Sequence, residues 1–341
     1  MRRSAAHALV TGGGGFLGRY IVHQLLDRGD QVTVFARGAY PELEAAGARL
    51  IRGDICDLPA IREACAGVDI VYHVAAKTGL WGRWDDFYAA NVTGTENVIA
   101  ACRAAGVPHL IYTSSPSVIF DGTDQAGVDE SVPYPDHYDN PYPATKALGE
   151  QRVLAANGPD LMTVSLRPHL VFGPGDNHLL PGLVARARTG WVPQVGDGTN
   201  RVDLTYVEDA AWAHLLAADA LAPGASAAGA PGSGAVYFIS QGDPVVLWSW
   251  IREVLAELGL PPIRLHIPFW VARMLGTGAA WLYRTFRLKG EPALTPFLAS
   301  ELAHSHYYDI SRAQRELGYA PRFTMDAATA RTLAWLRTQL D

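Results

Sequence analysis

Ala8-Leu9-Val10-Thr11-Gly12-Gly13-Gly14-Gly15-Phe16-Leu17-Gly18 joins a short apolar strand, through four glycines, to a helical run that continues to Asp27. Glycines at 12, 15 and 18 match a Gly-x-x-Gly-x-x-Gly variant of the dinucleotide fingerprint. Gly12 makes the tight turn, and Gly15 lets a pyrophosphate reach bare backbone. Gly18 lets helix and strand pack closely, while Phe16 and Leu17 open a helix whose free N–H groups and dipole favour an anion. A plain glycine-rich turn does not require a strand before it and a helix after it.

Outward from this loop, short β-branched runs at Gln31–Phe35, Arg49–Arg52, Ile70–Val74, Leu110–Thr113 and Met162–Leu166 alternate with helical stretches. Those stretches are Leu17–Asp27, Ile61–Ala66, Asn91–Ala105 and Thr145–Ala156. Strand and helix in repeated alternation predict a Rossmann-type α/β fold, a doubly wound parallel sheet covered on both faces. Gly67 and Gly106 fall just past two of the helices, where a left-handed C-cap belongs.

The second strand bears on the cofactor. An NAD site usually ends that strand with a carboxylate for the ribose 2′-hydroxyl. Here it ends Val34-Phe35-Ala36-Arg37. A guanidinium suits a 2′-phosphate, which favours NADP and leaves NAD as the other option. The competing reading of Arg37 is a solvated loop residue stacked on adenine. Asp54 and Ile55 follow the third strand and are candidates for the adenine end. Ala75, Ala76 and Lys77 follow the fourth and would flank the cofactor.

Beyond Pro168 the rhythm loosens. The helical run Leu179–Arg188 is followed by an expected hairpin around Gly196–Asn200 and a helix after Glu208-Asp209. A low-complexity Ala/Gly/Pro/Ser loop covers residues 221–235, and one further strand is expected at Val236–Ser240. The division expected is a nucleotide-binding domain over residues 1–170 and a smaller, mostly helical substrate-binding region over 171–341.

Composition narrows the classes. With 341 residues, 49% hydrophobic and 18% charged, the chain has length for about two domains, apolar material for a large core, and too little charge for a disordered polymer. Its net charge of −6 argues against a nucleic-acid binder. Three cysteines without ligand spacing read as free thiols, and no apolar signal core precedes the first strand, so the expected location is cytoplasmic. The His304–His306 pair has no third ligand at a suitable spacing, so no metal site is expected. Nine Trp stand out in an Ala- and Gly-rich chain.

Chemistry enters at Ser114-Ser115, the end of the fifth strand, and at Tyr142-Pro143-Ala144-Thr145-Lys146 on a following helix. Residues i and i+4 share a helix face, so an ammonium would sit near a phenol and draw its pKa down from about 10. Such a tyrosine exchanges a proton with a carbonyl or alcohol oxygen while nicotinamide carries hydride.

With these motifs in place, the sequence resembles the extended short-chain dehydrogenase/reductase superfamily and, within it, the 3β-hydroxysteroid dehydrogenase family. The shared motifs are TGGGGFLG, NVTGT at Asn91–Thr95, YTSSPSV at Tyr112–Val118, YPATK at Tyr142–Lys146 and LRPHLVFGPGD at Leu166–Asp176. The resemblance implies a catalytic set of Ser115, Tyr142 and Lys146, a helix asparagine (Asn91) bracing nearby backbone, and Arg167-Pro168 bordering the nicotinamide. Pro116 departs from some members and bears on the geometry beside Ser115. A homodimer formed by a helix pair beside the sheet is also implied.

Two subfamilies are resembled. SVIFDG from Ser117, HIPFWVARML and HYYDISRAQRELGYAP look like sterol-4α-carboxylate 3-dehydrogenases (decarboxylating), and this reading ranks first. AAKTGLWG, GPGDNHLLP and Arg37 look like bacterial 2-alkyl-3-oxoalkanoate reductases, the alternative. Both chemistries interconvert an alcohol and a ketone β to a carboxylate on a bulky lipid, so the expected small-molecule partner is a sterol or a long-chain β-keto acid. Candidate substrate residues are Trp81, Trp84, Ser117, His169 and His178. For Trp81 and Trp84 a packed loop competes with a pocket wall, and for the two histidines a structural hydrogen bond competes. Residues 264–289 carry Arg264, Arg273, Arg284, Arg287 and Lys289 among five aromatics and no acid. That segment reads either as an interfacial stretch, peripheral to the inner membrane face, or as an ordinary amphipathic helix on the core.

Overall fold

A computed structural model describes residues 5–177, 179–190, 192–221 and 232–340. Seven parallel strands form the central sheet: β1 (His7–Thr11), β2 (Gln31–Ala36), β3 (Arg49–Arg52), β4 (Ile70–His73), β5 (His109–Thr113), β6 (Met162–Pro168) and β7 (Ala235–Ile239). Their spatial order is β7-β6-β5-β4-β1-β2-β3. The chain winds one way from β1 through β3 and the other way from β4 onward. The crevice that opens where the order reverses lies between β1 and β4. Register brings Thr11 beside His73, His73 beside Tyr112 and Thr113 beside Leu166, which aligns the carboxyl ends of the strands on one edge.

Period-two alternation explains the two cores against this sheet. Val10, Val34, Tyr72, Ile111 and Val164 are buried on one face, while Leu9, Phe35, Val71, Leu110 and Tyr112 are buried on the other. Helix Phe16–Asp27 contributes Ile21, Val22 and Leu25 to the first face, and helix Gly94–Ala105 contributes Val98, Ile99 and Cys102 to the second. Gly106 ends the latter helix in the left-handed conformation, as its position predicts.

Two elements beyond residue 170 complete the nucleotide-binding layer. Strand β7 pairs with β6 along its whole length, and helix Val207–Ala220 packs against Phe16–Asp27. The expected loop 221–235 is where ten residues, 222–231, lie outside the described set. The rest of the C-terminal part is mostly helical around its own core of Phe172, Leu180, Tyr206, Trp248, Trp250 and Ile251. Burial of Trp248 and Trp250 there assigns part of the tryptophan excess to packing.

The hairpin expected around Gly196–Asn200 is not formed. Gln194–Val195 pairs in parallel with His266–Ile267, and Arg201–Val202 pairs with Val245–Val246 and with His306. Long-range partners outcompete the local turn because each short strand finds its backbone hydrogen-bond partners elsewhere. Among the described residues no helix is long and apolar enough to cross a membrane.

Candidate active site

The phosphate loop has the geometry its glycines require. Gly12 adopts φ +70°, and a Cβ there would lie 2.8 Å from the Ala75 backbone. A Cβ on Gly18 would sit 2.2 Å from the Gly12 carbonyl oxygen, so helix and loop close only without a side chain. Gly15 is exposed, with only the Gly12 oxygen close to it. No side chain caps the Phe16–Asp27 helix, and its first turn holds no acid. Bare backbone at a positive helix end fits a dinucleotide pyrophosphate. Tyr40, which the sequence reading missed, lies with its ring against Gly14 and Gly38.

At the adenine end, the exposed Arg37 guanidinium stands 4.0 Å from Asp54. Ile55 is buried beneath Gly94 and is held by Asn97, which donates to its carbonyl at 3.0 Å. On the other side of the crevice, the Ala75 N–H donates to the Thr11 hydroxyl at 3.3 Å, and Ala76 is partly buried. Asn91 accepts from the Lys77 N–H at 2.8 Å and donates to both the Lys77 carbonyl and the Thr145 hydroxyl at 3.0 Å. It thereby braces the loop after β4 against the catalytic helix, as the resemblance implies. Asn91 sits in a π-helical turn, Ala89–Thr93, whose wider spacing turns its side chain toward both partners. Pro168 is buried at the end of β6.

Helix Pro141–Ala156 starts where Asn140 accepts from the Tyr142 N–H at 2.8 Å, with Pro141 at the first position, where no N–H is needed. Ser115 leaves β5 in extended conformation and caps a 3₁₀ turn, Pro116–Ile119. Pro116 opens that turn without losing a hydrogen bond, so it aims Ser115 rather than disturbing it. The Ser117 hydroxyl donates to the Ser115 hydroxyl at 2.9 Å. Ser115 in turn is near enough to Tyr142 to lower its phenol's pKa, and both remain partly exposed. Ser117 thus lies largely buried behind Ser115.

The expected lowering of the Tyr142 phenol is not observed. Burial raises its pKa above 10, Ser115 pulls against that rise, and the Glu301 carboxylate adds to it. Lys146 points elsewhere, donating to the Tyr112 hydroxyl at 2.7 Å and the Thr113 carbonyl at 2.6 Å. Burial brings its ammonium down to about 7, opposed by Glu150. Behind Tyr112 runs a buried polar chain. Thr95, which acts on the Tyr112 hydroxyl, is hydrogen-bonded to His73 at 3.0 Å, and His73 to Thr11 at 2.8 Å. Burial, with Lys146 nearby, takes His73 down to about 3, so it is neutral.

Arg167 does not border an open site. It is buried on Glu150, one helical turn beyond Lys146, at 2.5 Å, and Glu150 also accepts from Tyr134 and Ser165. His169 is likewise withdrawn. It is buried, hydrogen-bonded to His306 at 2.6 Å, and held well below the usual histidine range by burial and by His306. A neutral, engaged imidazole offers no charge to a carboxylate. His178 lies outside the described residues. Trp81 is partly buried, edge-on to Tyr283, and Trp84 is exposed beside Tyr88. Glu301, unmarked by any sequence motif, is close enough to influence Tyr142, His304 and His306, and burial raises its carboxyl. Among the described residues no group of three His, Cys, Asp or Glu could hold a metal.

This arrangement combines a dinucleotide cradle, a protonated phenol with a serine hydroxyl on it, and a lysine one turn along. The model of the 3-beta hydroxysteroid dehydrogenase/isomerase family matches residues 9–268. The chain belongs to this family. As a member it is an NAD(P)-dependent oxidoreductase acting on CH–OH groups, with an extended short-chain dehydrogenase/reductase fold.

Relatives of this family member extend along nearly all of it. A 2-alkyl-3-oxoalkanoate reductase of Stenotrophomonas maltophilia (strain K279a) is 48% identical over 329 residues, covering 96% of this chain and 98% of its own. The sterol-4-alpha-carboxylate 3-dehydrogenase, decarboxylating, of Homo sapiens is 36% identical over 341 residues, covering 98% and 90%. Among solved structures, MoeE5 in complex with UDP-glucose and NAD superposes with a TM-score of 0.73 at 27% identity, over 98% of this chain and 100% of that one.

Proposed function

We propose that this protein reduces the 3-oxo group of a 2-alkyl-3-oxoalkanoate, a long-chain β-keto acid, using NADPH. The observation that carries this reading is the 48% identity, over 96% of the chain, to a reductase of that name, against 36% to the human sterol enzyme. It reverses the ranking that the C-terminal motifs favour.

Bound NADPH supplies the hydride to the carbonyl carbon. Tyr142 gives its proton to the oxygen as that oxygen gains the electron pair of the C=O bond. Burial holds the phenol's pKa above its ordinary value, so at neutral pH it carries the proton that it donates. Because Ser117 donates to Ser115, the Ser115 proton is free to point at Tyr142 or at the substrate oxygen. Lys146, brought down to about 7 by burial, adds positive charge one turn behind the phenol in its protonated form. Gly12, Gly15 and Gly18 would hold the pyrophosphate, and Arg37, with no carboxylate at the end of β2, would take the 2′-phosphate.

Absorbance of the reduced cofactor tests this reading, followed as it is consumed with a 2-alkyl-3-oxoalkanoate plus NADPH or NADH, and as it forms with a 3-hydroxy-4-carboxysterol plus NADP+ or NAD+. Consumption of NADPH with the β-keto acid alone is expected. Turnover confined to the sterol would overturn it.

A further inference from the structure

Helix Phe269–Thr285 presents two apolar faces, and the fold uses only one of them. At about 100° per residue, Ala272, Gly276 and Ala280 form a stripe, and all three are buried against the Pro296–Ala303 helix. The fit is close. A Cβ on Gly276 would stand 2.8 Å from the Thr295 backbone, so the helix is seated here without room to turn.

The opposite face is exposed and large. Trp270 is 67% exposed, Met274 58%, Trp281 61% and Phe286, just past the helix end, 63%. Leu275 and Leu282 widen the same arc. Contiguous large apolar side chains rarely face water without a partner. Charge names the partner. Between Leu258 and Gly290 there are five cations and no carboxylate, in a chain whose net charge is −6. Arg273 and Arg284 line one flank of the arc, while Arg264, Arg287 and Lys289 stand at its ends. Tryptophans at an apolar face rimmed by arginine and lysine match the boundary between acyl chains and anionic headgroups.

We infer that this face seats the protein peripherally on an anionic lipid surface. The seat adjoins the catalytic cleft. Tyr283 meets Trp81 edge-on at 6.1 Å, and the Arg284 guanidinium lies 5.2 Å from the Trp81 ring. Arg273 pairs with Asp139 at 3.9 Å, next to Asn140, the cap of the catalytic helix. Attachment therefore places the loops beside Tyr142 next to the lipid surface. The inference concerns attachment and holds whichever lipid is turned over.

Co-sedimentation of the full chain with vesicles tests it. One set is phosphatidylcholine alone, and the other contains one-third phosphatidylglycerol. At least tenfold more pelleting with the anionic set is expected, with loss of that excess in 0.5 M salt. The exposed double variant Trp270→Ser/Trp281→Ser should lose the binding, and so should Arg264→Glu/Lys289→Glu, which leaves every tryptophan in place. Both should keep the thermal midpoint of the parent. No binding to either set, or equal binding by the parent and both variants, overturns the inference. So does a concentration-dependent dimer in sedimentation velocity that Trp270→Ser/Trp281→Ser abolishes, because the face then belongs to a second copy.

Discussion

Lys146 donates to the hydroxyl of Tyr112 at 2.7 Å, and behind that tyrosine the hydrogen-bonded side chains of Thr95, His73 and Thr11 lead to the phosphate loop. Buried polar groups thus line the path from the base of the dinucleotide crevice to the ammonium beside the catalytic tyrosine. Tyr112→Phe leaves the ammonium on the Thr113 carbonyl, its other hydrogen-bond acceptor among the described residues. Stability is expected to fall by about 1–3 kcal/mol. Less stabilisation of the charged form moves the alkaline limb of kcat/KM to lower pH. A pH profile of the variant checks this, and an unmoved limb would contradict it.

Lys146 also predicts a pH dependence of stability. Burial holds it at about 7 in the fold, below its ordinary value. Between those values the unfolded chain binds the extra proton, so this group's contribution to stability rises as pH rises from 7. The thermal midpoint of the parent should gain on that of Lys146→Met between pH 7 and pH 9. A constant difference across that interval would exclude the shift.

Glu150 behaves in the opposite sense. Its burial would raise the carboxyl, but Arg167 outweighs that and the net shift is downward. The stabilisation it contributes is present above the ordinary carboxylate range and is lost as pH falls through the lowered value. Glu150→Gln, which strands a buried guanidinium, is expected to cost about 3–5 kcal/mol. Chemical denaturation at neutral pH measures it, and a cost under 1 kcal/mol would mean that the pair is not buried in solution.

Tyr142→Phe removes the proton donor without removing the ring. We expect kcat to fall by roughly 10²–10⁴ with the fold intact by circular dichroism. Ser115→Ala should cost less, because the phenol remains. Steady-state rates on the substrate panel decide the order of the two.

Arg37→Ala should lower kcat/KM for NADPH by about 10- to 100-fold, the worth of a charge-assisted contact of roughly 1.5–3 kcal/mol, and leave NADH nearly unchanged. Equal losses with both cofactors would show that Arg37 only stacks on the adenine.

The glycine loop, the strand–helix alternation and the Tyr142–Lys146 spacing were legible in the sequence because each depends on local geometry. A turn that admits no Cβ, a two-residue strand period and a one-turn helical repeat are all written over a few neighbouring residues. Gly12 and Gly18 adopt the crowded geometry their spacing implies, and Asn91 braces the backbone that the motif resemblance assigns to it. Long-range assembly was not legible. Strand β7 joins the sheet from beyond residue 170, and Gln194–Val195 pairs with His266–Ile267 instead of closing a hairpin. His169 meets His306 across 137 residues, Glu150 neutralises Arg167, and Lys146 turns to Tyr112. Each of those partners is set by strand order and helix packing, which balance burial over the whole molecule. Local periodicity therefore determined which residues are equipped for the chemistry. Only the tertiary structure decided which of them face the cleft, which are consumed in holding it, and which apolar face of the Phe269–Thr285 helix is left uncovered.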